Sequence, residues 1–174
     1  MFTPTRKSRL SSILLAIAML ALVTSACGFH APGLGRVTQV IDISIPEEML
    51  QQSSPTFTVG DHNFYDPLLD DVTRLELHDG YLRFVGTRTQ PDGSVVPGSV
   101  DLYVGAKDDN LTARIIAVDI PGIEIDDPLV VEINQEMKVE FYRVMASPDA
   151  DVLFKDVQVT EEELRMKIQV TVRF

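Results

Sequence analysis

The sequence of 174 residues contains no tryptophan, one cysteine and three histidines, at positions 30, 62 and 78. A single cysteine cannot close a disulfide within the chain. A nucleophilic catalytic site needs Ser or Cys beside a histidine base that an acid orients. No G-x-S-x-G segment is present, and this nucleophile turn is typical of α/β-hydrolases. We therefore expect a protein that is not an enzyme and that carries no cofactor.

Positive charge is also scarce, since 15 Lys and Arg residues stand against 26 Asp and Glu residues, a formal net charge of −11. The basic residues form no stripe or arginine cluster. A surface of this sign repels the phosphates of nucleic acids and anionic lipid headgroups. We therefore expect that the protein does not bind nucleic acids.

No apolar run reaches the roughly 20 residues that a membrane-spanning helix needs. The run at 13–23 follows three basic residues and precedes Thr24-Ser25-Ala26 and Cys27. This arrangement resembles a bacterial lipoprotein signal, although Thr24 stands where that family usually has Leu. The resemblance implies cleavage after residue 26 and fatty acyl chains such as palmitate on Cys27. An ordinary secretory signal and an uncleaved anchor are the alternatives.

The acylated cysteine would anchor the protein outside the cytoplasm, because two or three acyl chains bind a bilayer stably. Gly28 follows Cys27, where an inner-membrane retention signal would have Asp. An inner or an outer bacterial membrane is compatible with this anchor. Loss of residues 1–26 removes three basic residues and no acidic one, which leaves 12 Lys and Arg against 26 Asp and Glu, a net charge of −14. We expect a tether at 27–36 and a single domain at 37–174.

Most of the predicted domain shows the two-residue alternation of half-buried strands. A strand at 37–45 leads to a short helix that begins near Pro46. From Val72 to Ile120, runs of alternating residues are separated by turns such as Asp79-Gly80, which is a strong hairpin signal. This pattern predicts a four-stranded antiparallel meander, and residues 152–174 predict a closing hairpin with a turn at 160–163.

One segment has the periodicity of a helix instead. Asp126-Asp127-Pro128 provides an acidic cap followed by proline at the first helical position. Apolar residues then recur at helical spacing for about 18 residues. The fold class that we expect is α+β, in which a curved antiparallel sheet, made of the meander and the C-terminal hairpin, packs around one long amphipathic helix and one short helix. The predicted apolar stripe consists of Leu129, Val130, Ile133, Met137, Phe141, Val144 and Met145.

The order of these elements over 37–174 resembles that of envelope lipoproteins with a domain similar to the tubular lipid-binding superfamily. The resemblance implies a groove between helix and sheet that holds acyl chains. The closing turn departs from it, since Thr160-Glu161-Glu162-Glu163 stands where relatives usually have an Asp-Gly turn. The segments that carry the resemblance are Pro46-Glu47-Glu48-Met49-Leu50, Asp79-Gly80, Asp92-Gly93, Val118-Asp119-Ile120-Pro121-Gly122-Ile123 and Glu132-Ile133-Asn134-Gln135-Glu136.

A dense acidic segment offers the one group of candidate metal ligands. It contains Asp61, His62, Asp66, Asp70 and Asp71. Hard cations such as calcium take several oxygen ligands, but the spacing here fits no EF-hand loop. Because runs of charge usually form solvated surfaces, we expect no metal site.

The sequence therefore favours a non-catalytic, membrane-anchored lipoprotein that binds a lipid or another apolar ligand between helix and sheet. Flexible methionine side chains suit variable apolar ligands. The alternative is a structural or assembly lipoprotein with a filled core that holds an envelope protein partner. The candidate ligand-binding residues are Met137, Phe141, Met145, Leu82, Phe84, Met166 and Ile168. Small residues that could leave room for a ligand are Gly86, Gly105, Ala113 and Ala117.

Overall fold

The computed structural model describes residues 35–52, 58–59, 62–145 and 150–173. Of residues 52, 58–59, 62–63, 140–145 and 173 it describes the backbone alone. The predicted signal, Cys27 and most of the tether lie outside the described residues. Residues 36–174 form one compact unit.

Nine strands and two helices make up the described part of the chain. The helices are α1 (Glu47–Gln52) and α2 (Pro128–Met145). The strands are β1 (Arg36–Pro46), β2 (Thr58–Val59), β3 (His62–Asn63), β4 (Asp71–His78), β5 (Tyr81–Thr89), β6 (Val95–Lys107), β7 (Asn110–Asp119), β8 (Ala150–Val159) and β9 (Glu163–Arg173).

The four-stranded sheet is an antiparallel meander in the order β4-β5-β6-β7, which confirms the prediction for this region. Its first two turns contain Gly80 and Gly93 at φ of 88° and 84°. Residues that have a β-carbon rarely adopt such φ angles, so the Asp-Gly sequence fits both turns. The buried residues of the inner face of this sheet are Leu75, Leu77, Leu82, Phe84, Val100, Leu102, Val104, Ala113 and Ile115.

The three-stranded sheet has the order β1-β9-β8 and is also antiparallel. Its central strand is the closing strand of the chain, which pairs with β1 from Arg36 opposite Arg173 to Pro46 opposite Glu163. The predicted closing hairpin is confirmed by the pairing of β8 with β9. Both the first and the last long strand of the unit therefore belong to one sheet.

Backbone hydrogen bonds join the two sheets along the outer edge of β8. Phe154 donates its N–H to the carbonyl of Asp109 at 2.8 Å, in the turn between β6 and β7. Gly80, in the turn between β4 and β5, donates its N–H to the carbonyl of Val159 at 2.9 Å. Both turns lie at the same end of the meander, so β8 runs across that end.

The longer helix, α2, packs along β7, which is an edge strand of the meander. Asp127 caps it, accepting a hydrogen bond from the N–H of Leu129 at 2.9 Å. The Asn134 side chain accepts a bond from the N–H of Ile115 at 2.7 Å and donates to the carbonyl of Ile115 at 3.4 Å. A helix side chain thus satisfies edge groups of β7 that a further strand would otherwise use.

The buried core forms under the inner face of the four-stranded sheet. It takes Leu50 from α1, Val130 and Ile133 from α2, and Val159 and Leu164 from the three-stranded sheet. An aromatic group lies at its centre, since Phe84 packs edge-on against Phe64 with ring centroids 5.0 Å apart. Every main element thus contributes apolar side chains to one core.

The predicted α+β fold class is wrong. The structure is mostly β, 63% strand against 15% helix, and has two main antiparallel sheets instead of one sheet around a helix. Asn134 bonds to the edge of β7, and β8 pairs with β9 in the second sheet instead of extending the meander. No long amphipathic helix organises the fold, and Val131 and Val139 of α2 are exposed apolar residues.

Candidate functional site

The apolar face of the three-stranded sheet is the candidate functional site. Residues directly opposite one another in antiparallel pairs share a face, so the register groups side chains from all three strands. Apart from Gln39, every residue of this face is apolar. Along the strands, the apolar face contains Val37, Gln39, Ile41, Ile43 and Ile45 of β1; Leu164, Met166, Ile168, Val170 and Val172 of β9; and Ala150, Val152, Phe154, Val157 and Val159 of β8.

Burial is greatest at one end of this apolar face and least at the other. The row next to the core contains Ile45, Leu164 and Val159, of which the last two are 4% and 6% exposed. The row at the opposite end contains Val37, which is 49% exposed, with Val172 and Ala150 partly buried. The apolar face therefore continues the core and extends beyond it.

The predicted tether joins the domain at the start of β1, next to the exposed end of the apolar face. Arg36 is nine residues after Cys27 in the sequence, and an extended chain of that length spans at most about 30 Å. Val37, in the most exposed row, immediately follows Arg36. An acyl group on Cys27 would therefore hold the exposed end of the apolar face within about 30 Å of a bilayer.

Three of the predicted ligand-binding residues lie elsewhere, in the closed core. Leu82 and Phe84 have no exposed surface, and Met137 is 1% exposed. The Phe84 ring packs against those of Phe64 and Tyr65, with centroid distances of 5.0 and 5.5 Å. Their neighbours are protein side chains, as in an ordinary filled core.

Two further predicted residues, Met166 and Ile168, lie on the apolar face. Ile168 is 8% exposed, and Met166 is partly buried against the core. The side chains of Phe141 and Met145 lie outside the described residues. The structure therefore divides the predicted groove residues between the closed core and the apolar face of the other sheet.

The glycines that were expected to leave room for a ligand have close neighbours. A β-carbon at Gly86 would lie 2.0 Å from the carbonyl oxygen of Asp71. At Gly105 it would lie 2.2 Å from the hydroxyl of Tyr103. Ala113 is buried in the core and Ala117 is exposed. Gly86 and Gly105 thus permit close backbone and side-chain packing within the four-stranded sheet.

A polar cluster that the sequence reasoning missed lies on the outer face of the four-stranded sheet. Asp101 is 7% exposed overall and accepts two hydrogen bonds from the Arg83 guanidinium, at 2.8 and 2.9 Å. This pairing raises the pKa of Arg83 above its usual range. Beside it, Tyr81 stacks on His78 with ring centroids 4.8 Å apart. Strand parity places Arg83 and Asp101 on the polar faces of their strands, but that they lie opposite each other depends on the register of β5 and β6.

The members of this outer-face cluster are engaged with one another. His78 lies 3.4 Å from a carboxylate oxygen of Glu76, and the Arg83 guanidinium lies 5.6 Å from the centre of the Tyr81 ring. The cluster contains no Ser or Cys that could act as a nucleophile. Its geometry suits a structural ion pair with aromatic support.

The acidic segment does not gather into a group of metal ligands in the part of the chain that the structure describes. The Asp70 carboxylate accepts hydrogen bonds from Thr89, which lower the pKa of Asp70. Asp61 and the His62 side chain lie outside the described residues. Among the described helices, none is long and apolar enough to cross a membrane.

Comparison of the chain with protein-family models, curated proteins and solved structures finds no match.

Proposed function

We propose that this protein is a non-catalytic extracytoplasmic lipoprotein, anchored through acylated Cys27, that binds an acyl chain or a similar apolar ligand. The ligand would lie against the apolar face of the three-stranded sheet. The observation that carries the proposal is the continuation of the apolar face beyond the core, with burial decreasing from Leu164 to Val37. Each ligand methylene removed from water there contributes about 0.8 kcal/mol.

The position of β1 supports the same function. A tether that ends at Arg36 holds the exposed row near the membrane, where acyl chains are available. A ligand that leaves the bilayer would meet Val37, Val172 and Ala150 before it reached the more buried rows. The opposite face of the sheet carries polar residues such as Thr38 and Thr171, whose hydroxyl groups are 2.9 Å apart. Only one face of this sheet therefore suits an apolar ligand.

The test is photo-crosslinking of the full chain in its host membranes with a fatty acid that carries a diazirine. We expect adducts on peptides that contain residues 37–45, 150–157 and 166–172, located by mass spectrometry after proteolysis. Adducts confined to other peptides, or none above the unirradiated control, would contradict the proposal.

Two adjacent residues of β1 provide a matched pair of variants. Ile41 lies on the apolar face, whereas Val40 lies on the opposite face and is 48% exposed. Ile41→Gln should reduce labelling of the apolar face, because it adds a polar amide where the ligand lies. Val40→Gln should leave labelling unchanged. Equal labelling in both variants would exclude the apolar face as the binding surface.

A second candidate function is the assembly role, in which the protein holds an envelope protein partner. The observation that favours it is the closed core around Phe84, which fits a filled domain better than a groove between helix and sheet. In that case the photo-crosslinking experiment would give no lipid adducts. Crosslinking with a protein-reactive reagent in the same membranes would then give an adduct with the same envelope protein in repeated experiments.

A further inference from the structure

The two main sheets have four edge strands, and described side chains or turns bond to three of them. Asn134 bonds to β7, the turns at Gly80 and Asp109 bond to β8, and the Gln51 amide donates to the Leu75 carbonyl of β4 at 3.3 Å. Natural sheets protect their edges in such ways because unpaired backbone groups recruit further strands.

The outer edge of β1 is the exception. Within the described residues, β1 pairs with β9 alone, over all eleven positions from Arg36 to Pro46. Its residues 36–40 are exposed, including the apolar Val37 and Val40 at 49% and 48%. A strand of this length and exposure presents a long regular edge for another strand.

The residues of β1 are complementary to a second copy of β1 in the antiparallel direction. If Gln39 faces Gln39 of the second copy, Arg36 faces Asp42 and Val37 faces Ile41. Opposite charges and apolar pairs at directly opposed positions stabilise antiparallel strands. Because the pairing is two-fold symmetric, the Arg36–Asp42 pair forms twice.

This register also matches the two faces of the sheet. Residues of the same parity face one another, so the apolar face of one copy continues into that of the other. Gln39 is the one polar residue of the apolar face, and its amide would meet the identical amide of the second copy. Two side-chain amides can donate to and accept from each other.

We propose that two copies of this chain associate through their β1 strands, antiparallel and centred on Gln39, to form a continuous six-stranded sheet. The occupant of the free edge is therefore a second copy. The inference does not depend on the proposed ligand or on acylation of Cys27, and the six-stranded sheet is of ordinary size for a globular protein.

Disulfide trapping of the full chain in its host cells tests the centre of the pairing. Gln39→Cys places two cysteines directly opposite each other, at a Cα separation of about 4.5–5.5 Å that a disulfide can bridge. We expect mild oxidation to shift the protein to twice its apparent mass on a non-reducing gel, and reductant to reverse the shift.

Val40→Cys is the matched control, because Val40 is on the same exposed strand but faces Thr38 of the second copy. Two cysteines at position 40 would be offset by two residues along the strands and more than about 7 Å apart, too far to be bridged without backbone movement. We expect only the background that wild-type Cys27 gives. Equal dimer bands at positions 39 and 40, or no dimer at 39, would overturn the proposal.

The charge pair provides a second, independent test in the Gln39→Cys background. Arg36→Glu should remove the dimer band, because it places Glu opposite Asp42 of the second copy. Adding Asp42→Lys should restore the band, while Arg74→Glu on β4, far along the chain from β1, should leave it unchanged. A dimer band that Arg36→Glu does not affect, or that Asp42→Lys does not rescue, would exclude this register.

Discussion

The central residues of the apolar inner face of the four-stranded sheet are at most 9% exposed, whereas residues of the apolar face of the three-stranded sheet range from 4% exposed at Leu164 to 49% at Val37. Both sheets are antiparallel and both alternate apolar with polar residues. They differ in what covers them, since the core lies under the whole inner face of the four-stranded sheet, α2 packs along its edge strand β7, and its outer face carries a paired polar cluster. The three-stranded sheet shares that core only at one end. Alternation in the sequence therefore predicts that one face of a strand is apolar. Which part of the protein packs against that face depends on the tertiary structure.

The largest expected difference between the sheets concerns their apolar side chains. Phe84→Ala should lower the free energy of unfolding by about 3–5 kcal/mol, because it leaves a cavity among the rings of the core. Val37→Ala should change that free energy by less than about 0.5 kcal/mol, because Val37 is half-exposed. Urea unfolding of the full chain in detergent, followed by circular dichroism, measures both. Similar losses would show that the two faces are equally packed.

The next largest effect concerns ion pairs in the two regions. Asp101→Ala should lower the free energy of unfolding by about 2 kcal/mol, because it removes two charge-assisted hydrogen bonds that Arg83 donates to a buried carboxylate. Lys155→Met breaks the ion pair between Lys155 Nζ and Asp109 Oδ1, which are 2.9 Å apart at the junction of the sheets. The Asp109 carboxylate is more exposed than that of Asp101. We expect Lys155→Met to cost less than about 0.5 kcal/mol. The same unfolding experiment compares them, and a larger loss for Lys155→Met would reverse the comparison.

The protected edge of β7 should give a smaller effect. Asn134→Leu leaves the N–H and carbonyl of Ile115 without their side-chain partner, at a cost of about 1 kcal/mol. Hydrogen exchange should become faster in peptides from residues 110–119 and stay unchanged in β5. Gln135→Leu on the exposed side of the helix is the control. Unchanged exchange in Asn134→Leu would mean that the helix backbone alone shields this edge.

The smallest expected effect is a pH dependence in the three-stranded sheet. Arg165 and Ser44 donate hydrogen bonds to Glu163, and these lower the pKa of Glu163. A lowered pKa in the folded state gives stability that is present above the ordinary carboxyl pKa of about 4.3 and is lost as the pH falls through the lowered value.

Glu163→Gln should therefore reduce the difference between the urea midpoints at neutral and at acidic pH. Glu161→Gln, in the preceding turn, should leave that difference as it is in the wild type. If both variants behave alike, the hydrogen bonds of Glu163 do not contribute to the acid sensitivity of this sheet.

The sequence predicts the local elements because their signals are local. Asp79-Gly80 marks a hairpin, Asp127-Pro128 marks the start of a helix, and alternation marks strands. Which strands share a sheet depends on contacts that are distant in the chain. The side-chain amide of Asn134 bonds to Ile115 on the edge strand of the meander, and no periodicity in the sequence indicates this contact. The α+β prediction is therefore wrong in its architecture although its meander and closing hairpin are present.

The candidate site could be predicted in part for the same reason. Alternation places Met166 and Ile168 on one face of β9 and Leu82 and Phe84 on one face of β5. The same pattern cannot tell that the β5 face is closed by aromatic rings while the β9 face extends past the core. The Arg83–Asp101 pair was missed because it joins two strands whose register becomes known only when the sheet is formed.

The pairing of β1 with β9 also sets the order in which the protein can fold. Thr38 and Thr171, which bond across this pair, are 133 positions apart in the chain. Closing such a long loop carries a large entropic cost, and contacts of this kind slow folding. During synthesis β1 is made early and must wait for β9, while the meander can form from neighbouring strands. An incomplete chain would thus contain a folded meander and an unpaired apolar strand, so the interval before β9 emerges is when this protein is most prone to aggregate.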